Sequence, residues 1–132
     1  MPYGRPKIRV VDKARRTRQG LYGEVYVFDS GMEADRFDEI KLQVRVREVA
    51  HYVVHPKFQL GEDHTYTADF LVVLTDGKCR VEEIKGGAWA ANRRGWRMTM
   101  RLWEKYGPWP LLLLIREGRK GWIRTIIERI EE

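Results

Sequence analysis

YTADFLVVLTDGKCRVEEIKG, residues 66–86, consists of two short apolar runs joined by the four residues TDGK. An Asp-Gly pair between two such runs is a strong local signal for a β-hairpin. The first strand of this hairpin would begin with Asp69, and the second would end with Glu83 and Lys85. A hairpin in a protein core has no structural need for these charges. The stretch therefore predicts both a sheet and a functional site at the open end of the hairpin.

Alternation along the second strand separates the two adjacent glutamates. Successive side chains of a strand point to opposite faces of the sheet. Glu83 and Lys85 therefore share one face, whereas Glu82 and Ile84 take the other. With the turn at the Asp-Gly pair, Asp69 falls near Glu83 and Lys85, and the pattern favours Glu83 over Glu82 as the acid of the site.

Two carboxylates with an ammonium beside them have a clear chemical use. Mg²⁺ prefers oxygen ligands, and Asp69, Glu83 and the backbone carbonyl of Ile84 can supply three of them. Such an ion can polarise a phosphodiester oxygen and activate a water molecule. Lys85 could orient that water or stabilise charge in the transition state. We expect Mg²⁺ as the cofactor, with Mn²⁺ able to substitute.

A further acid is available on the first predicted helix, which spans residues 29–46. Ser30 is a favourable N-cap residue, and Ser30-x-x-Glu33 fits a capping box. The cap alone accounts for Glu33, but the same first turn could direct its carboxylate over the end of the sheet. Both interpretations are open from the residues, and they do not exclude each other.

The remaining segments predict a single α/β domain at residues 21–132, with a sheet flanked by helices on both faces. Strands are expected at 21–28, 49–54, 57–60 and 109–115, and further helices at 88–106 and 121–132. The one cysteine, Cys79, excludes a disulfide within the chain and suits a reducing compartment. The longest apolar run is far too short to cross a bilayer, and no signal segment opens the chain. We expect a cytoplasmic protein without a membrane partner, and without a nucleotide cofactor because no Gly-rich phosphate loop is present.

The charge is concentrated at the N-terminus. The formal net charge is +6, and the first 20 residues contain seven basic residues against one acid. They predict an extended or flexible arm, residues 1–20, which either contacts a polyanion through phosphate neutralisation or acts as a solubilising tail. The candidate DNA contacts of the arm are Arg15, Arg16 and Arg18.

The segment at 88–106 combines an aromatic stripe with a basic one. The first stripe, Trp89, Trp96, Met100 and Trp103, is more typical of a core or a dimer surface than of base stacking. The basic residues either contact phosphate or form a solvated face; the candidate contacts are Arg93, Arg94, Arg97 and Arg101. His51, His55 and His64 show no metal-ligand spacing and are interpreted as structural or surface residues.

Asp69, thirteen intervening residues and Glu83-Ile84-Lys85 resemble the PD-(D/E)xK nuclease signature, with Ala68 at its nominal proline. The match extends over FDSGMEADRF (28–37), HPKFQL (55–60), TYTADF (65–70) and VEEIKG (81–86). Together these blocks resemble small phage proteins of that superfamily, whose nearest functional relatives are archaeal-type Holliday junction resolvases.

The resemblance implies a restriction-endonuclease-like mixed β-sheet flanked by helices. It also implies that Glu33, Asp69 and Glu83 bind the metal and that Lys85 is the catalytic lysine. The expected activity is paired cutting of four-way junctions by a homodimer that binds branched double-stranded DNA, in the host cytoplasm if the chain is phage-encoded. Two alternatives stay open: a less selective nicking or end-processing nuclease, and a non-catalytic DNA-binding protein with the same fold.

Overall fold

A mixed five-stranded sheet organises the part of the chain that the computed structural model describes, residues 13–87, 93–116 and 121–128. In chain order the elements are β1 (Thr17–Gln19), β2 (Val25–Val27), α1 (Gly31–Arg45), β3 (Val49–Val54), β4 (Lys57–Gln59), β5 (Thr65–Thr67), β6 (Phe70–Leu74), β7 (Cys79–Lys85), α2 (Arg94–Tyr106), β8 (Leu111–Arg116) and β9 (Trp122–Ile127). The central sheet has the strand order β3-β6-β7-β8-β9, and β1-β2 and β4-β5 form two small antiparallel pairs.

The predicted hairpin is the centre of this sheet. β6 pairs with β7 in antiparallel register, so that Phe70 lies opposite Glu82. Gly77 has φ +91° in the turn, a conformation that favours glycine, and Asp76 Oδ1 accepts a hydrogen bond from the backbone N–H of Lys78 at 2.9 Å. Asp69 directly precedes β6, and Lys85 ends β7. The open end of the hairpin therefore lies where the sequence analysis placed it.

The two helices cover opposite faces of the sheet, which confirms the predicted α/β fold with a mixed sheet and flanking helices. β7 and β8 are parallel, a pairing that requires a crossover connection, and α2 lies between them in the chain. The core under α1 includes Ala34, Phe37, Ile40, Phe70, Val72 and Ile84. The core under α2 includes Trp96, Trp103, Val81, Leu111 and Leu113. Two of the predicted stripe tryptophans are thus buried core residues.

Residues 17–19, within the predicted N-terminal arm of residues 1–20, form β1. β1 pairs with β2 along Thr17–Gln19, and Arg18 Nε donates to the two carboxylate oxygens of Asp38 at 2.9 and 3.1 Å. This pairing and this contact with α1 make residues 17–19 part of the folded domain. Residues 1–12 lie outside the described part of the chain.

The predicted C-terminal helix is wrong over 122–127, where the chain forms β9 and pairs antiparallel with β8. The segment WIRTII is rich in β-branched and aromatic residues, which favour strands. Trp122 Nε1 also donates to Glu39 Oε1 at 2.7 Å, which joins β9 to α1. Residues 88–92 and 129–132 of the two predicted helices lie outside the described residues. Neither described helix is long and apolar enough to cross a membrane.

Candidate active site

The charged residues of the hairpin converge at one end of the central sheet. Asp69 Oδ2 accepts a hydrogen bond from the backbone N–H of Ile84 at 2.7 Å, and the Asp69 N–H donates to the carbonyl of Glu82 at 3.2 Å. These bonds fix the Asp69 carboxylate beside the last residues of β7. Ile84 thus meets the acid through its N–H, and the use of its carbonyl as a metal ligand stays a prediction.

Glu33 reaches the same place from α1, and it also takes part in the helix cap. Ser30 Oγ accepts the N–H of Glu33 at 3.1 Å and donates to Glu33 Oε1 at 3.3 Å. The second carboxylate oxygen, Oε2, is buried and has no hydrogen-bond partner among the described residues. The cap uses one carboxylate oxygen and leaves the other facing the site, so it is compatible with the predicted metal-binding role of Glu33.

The three acids are too crowded and too buried to ionise normally. Burial raises the pKa of Asp69 to about 9, and the negative charges of Glu83 and Glu33 contribute. Burial also raises the pKa of Glu83 against the opposing effect of Lys85, and it raises the pKa of Glu33 together with the charge of Asp29. A site of this kind favours a bound cation, which would neutralise the carboxylates.

Glu83 is held by two residues on the α2 side of the sheet. Lys85 Nζ lies 3.2 Å from Glu83 Oε2 and 4.6 Å from the centre of the Trp96 ring. The Tyr66 hydroxyl donates to Glu83 Oε1. Burial and the charge of Glu83 raise the pKa of Tyr66 well above its usual range, so the phenol stays a donor. The sequence analysis missed Tyr66, although it lies in the TYTADF block that carried part of the resemblance.

Glu82 points away from the site, as the alternation of side chains along β7 predicted. Its carboxylate accepts hydrogen bonds from Arg36 Nε at 2.7 Å and Arg36 Nη2 at 2.8 Å. The side chains of Arg36 and Glu82 are almost completely buried. The half-buried Arg80 also donates from Nε to Glu82 Oε2 at 2.9 Å. This paired charge belongs to the α1 side of the fold, which leaves Glu83 as the acid of the site.

His55 lies beside Glu33 and Asp69, a position that its interpretation as a scattered structural or surface residue did not predict. The ligand atoms of Glu33, His55 and Asp69 all lie within 4.8 Å of one another. No spacing in the sequence marks this group, because its members come from α1, from the residue after β3 and from the residue before β6. The one available signal was the HPKFQL block of the resemblance.

Basic residues surround an open cleft next to Glu83. The cleft has a volume of about 650 Å³, and Lys85, Arg93 and Arg94 line it together with Tyr66 and Trp96. Arg97 and Arg101 continue the basic surface along the exposed side of α2. The structure thus brings the four predicted arginines of this segment to one surface beside the acids.

The arginines of the predicted arm are placed differently. Arg15 is exposed, whereas Arg16 Nη1 donates to the carbonyl of Phe28 at 2.7 Å. Arg18 forms ion pairs with Asp38 and Asp35. These contacts anchor β1 to α1, so Arg18 belongs to the folded domain and not to a free arm. Its contact with DNA stays a prediction.

The comparisons with known proteins identify a family without assigning an activity. A family described as protein of unknown function (DUF1064) matches residues 19–106, about two thirds of the chain. The matched range contains Glu33, His55, Asp69, Glu83 and Lys85. No curated protein and no solved structure matches the chain. The chain belongs to the DUF1064 family.

Proposed function

We propose that this protein is a magnesium-dependent, structure-selective DNA endonuclease that resolves four-way junctions. One observation carries the proposal: two buried carboxylates, Glu33 and Glu83, and the half-buried carboxylate of Asp69 meet at the end of the sheet beside Lys85. One of their oxygens, Glu33 Oε2, has no hydrogen-bond partner in the described structure. A buried, unpartnered carboxylate oxygen is costly, and a function that requires it explains why it is there.

The residues fit a divalent cation. Glu33, Asp69 and Glu83 offer carboxylate oxygens, the ligand type that Mg²⁺ prefers, and the Ile84 carbonyl is the fourth candidate ligand. Burial raises the pKa values of these carboxylates although Lys85 lowers those of Asp69 and Glu83, so its positive charge offsets the burial only in part. A bound Mg²⁺ would supply further positive charge and polarise a phosphodiester toward attack by water.

The side chains around the acids have distinct roles in this proposal. The Ile84 N–H holds the Asp69 carboxylate in one orientation, and the Tyr66 hydroxyl does the same for Glu83. Lys85 lies between Glu83 and the Trp96 ring, so its ammonium is fixed at the edge of the cleft. There it can donate hydrogen bonds to the phosphate oxygens as negative charge develops on them.

The basic surface of α2 supplies the contact with DNA. Arg93 and Arg94 line the cleft that reaches Glu83 and Lys85, and Arg97 and Arg101 extend the charge away from it. Contacts of this type position a duplex without reading its sequence. A four-way junction has two-fold symmetry, so paired cuts require a symmetric homodimer with two such sites; both the dimer and the choice of junction follow from the resemblance.

Cleavage of defined substrates tests the proposal. A labelled four-way junction and a linear duplex of matched sequence would be incubated with the protein in Mg²⁺ or in EDTA. The variants are Asp69→Asn and a control, Asp76→Asn, which makes the same change in the turn at the opposite end of the same hairpin. Symmetric, Mg²⁺-dependent cuts in the junction alone, lost in Asp69→Asn and kept in Asp76→Asn, are the expected result.

Other outcomes identify the two alternatives. Equal cutting of the linear duplex would replace the resolvase with a less selective nicking or end-processing nuclease. Tight binding of DNA without any Mg²⁺-dependent cleavage by the native protein would leave a DNA-binding protein that retains the fold but not the activity.

A further inference from the structure

His55 is held rigidly beside the acids by an unusual backbone conformation. Its φ of 55° lies in the left-handed region, which few residues other than glycine adopt. Its backbone N–H donates to the carbonyl of Asp69 at 3.0 Å, and the Ala68 N–H donates to the carbonyl of Pro56 at 2.9 Å. These two bonds join the chain after β3 to the chain before β6. These bonds therefore hold the backbones of His55 and Asp69 side by side.

The imidazole faces the unpartnered oxygen of Glu33. His55 Nε2 lies 4.0 Å from Glu33 Oε2, which is too long for a direct hydrogen bond. The other side of the ring packs edge-on against Phe28, with 5.9 Å between the ring centres. Glu33 is only 8% exposed, so its free oxygen has few sources of a partner besides an ion held between these groups. Two ligands of one divalent ion are separated by roughly 3 to 4 Å at ligand distances of about 2.1 Å, close to the spacing of this group.

We infer that His55 is a ligand of the site cation together with Glu33 and Asp69, and that the site consequently prefers Mn²⁺, or a similar transition-metal ion, to Mg²⁺. The inference rests on the proposed function for its use of a divalent metal, and it changes the preferred ion from Mg²⁺ to a transition-metal ion. Imidazole nitrogen suits transition metals, whereas Mg²⁺ takes oxygen ligands almost throughout. One nitrogen ligand among carboxylate ligands therefore shifts the metal preference of the site from Mg²⁺ toward a transition-metal ion.

Pulsed electron paramagnetic resonance of bound Mn²⁺ tests this ligand directly. The native protein, cleared of metal with EDTA and reloaded with one equivalent of Mn²⁺, should show coupling to the nitrogen of a single imidazole. His55→Asn should remove that coupling, because asparagine tolerates the left-handed backbone but has no imidazole. His51→Asn, in the exposed part of β3, should leave it intact.

Calorimetric titration supplies the second measurement. His55→Asn should weaken Mn²⁺ binding about tenfold or more, in the range found for changes around metal ligands, and should change Mg²⁺ binding much less. Circular dichroism would establish that the variant is folded. A native Mn²⁺ complex without nitrogen coupling, or an unchanged Mn²⁺ to Mg²⁺ affinity ratio in His55→Asn, would overturn the inference and leave His55 as an electrostatic partner of Glu33.

Neither measurement needs DNA, so failure of the two proposals can be distinguished. Loss of the nitrogen coupling in His55→Asn alongside a native protein that cleaves no DNA would reject the nuclease and keep the metal ligand. Mg²⁺-dependent cleavage by a protein whose Mn²⁺ complex shows no nitrogen coupling would keep the nuclease and reject His55 as a metal ligand.

Discussion

Asp69 Oδ2 accepts the backbone N–H of Ile84 across the open end of the hairpin, with 2.7 Å between nitrogen and oxygen. The bond joins the residue before β6 to the second-last residue of β7. The register of the hairpin therefore sets the orientation of the carboxylate, and no flexible loop intervenes. The same backbone also carries Glu83 and Lys85, so one pairing positions three of the four predicted catalytic residues.

The crowding around Asp69 predicts that the protein stripped of metal becomes less stable as pH rises. The pKa of Asp69 is raised from 3.8 to about 9 in the fold, so the folded state binds its proton more tightly than the unfolded state does. Stability is then highest at low pH and falls between about pH 4 and 9. The raised pKa values of Glu33 and Glu83 act in the same direction. In EDTA, denaturation by urea should give a free energy of unfolding that falls from pH 5 to 8 by at least about 1 kcal/mol, the equivalent of one pKa unit.

Asp69→Asn should remove much of this pH dependence and be more stable than the native protein at pH 8, since the amide can still accept the Ile84 N–H. Millimolar Mg²⁺ should raise the stability of the native protein and have less effect on the variant. A native protein in EDTA whose stability rises over the same pH range would contradict the prediction.

The same substitution at two adjacent glutamates should have different effects: Glu82→Gln should lower stability, and Glu83→Gln should abolish cleavage. Glu82→Gln removes the charge that compensates the buried Arg36, and breaking a buried ion pair from one side typically costs about 3–5 kcal/mol. Glu83→Gln relieves carboxylate crowding and should change stability little while it abolishes cleavage. Urea denaturation and junction cleavage of both variants would measure the difference.

The double variant Arg36→Met/Glu82→Leu is the control for the ion pair. Replacing both partners by apolar residues of similar size should recover much of the stability that Glu82→Gln loses. If Glu83→Gln destabilised the protein as strongly as Glu82→Gln, the division between a structural and a functional glutamate would be wrong.

The positions of Asp69 and Glu83 were predictable because local rules determine them. Strand alternation chose Glu83 over Glu82, and the Asp-Gly turn set the hairpin register that brings Asp69 to it. The capping box left the role of Glu33 open, and only the resemblance favoured it as a site acid. Strand alternation and the turn signal act over a few residues and do not depend on contacts with distant parts of the chain.

The residues that were missed depend on contacts between distant segments. His55 joins the site through a left-handed backbone that no neighbouring residue type announces, and the role of Arg18 depends on Asp38 of α1. The segment of β9 predicts a helix because its apolar residues also fit a helical face. In the structure it is a strand, which pairs with β8 and is joined to α1 by the bond from Trp122 to Glu39.

Lys85 should be required for cleavage but not for binding of DNA. Lys85→Met keeps an unbranched side chain of similar length against Trp96 while it removes the ammonium. Single-turnover cleavage should fall by about 10²–10³, the usual effect of removing one donor to developing charge. DNA affinity, measured in Ca²⁺, should change only a few-fold because the arginines of α2 remain. A loss of affinity as large as the loss of cleavage would instead make Lys85 a binding residue.

The exposed arginines of α2 should determine how salt affects DNA binding. Each phosphate contact contributes about 0.9 to the slope of log affinity against log salt concentration, so Arg97→Ala/Arg101→Ala should lower the slope by roughly 2. Fluorescence anisotropy with a labelled junction between 50 and 300 mM salt, roughly the range in which such slopes are resolved, would measure it. Arg45→Ala/Lys78→Ala is the matched control. It removes the same charge at two exposed positions, the end of α1 distant from Glu33 and the turn of the hairpin. Equal slopes for the two double variants would mean that α2 acts only through net charge, and an unchanged slope in the first would place the DNA contact elsewhere.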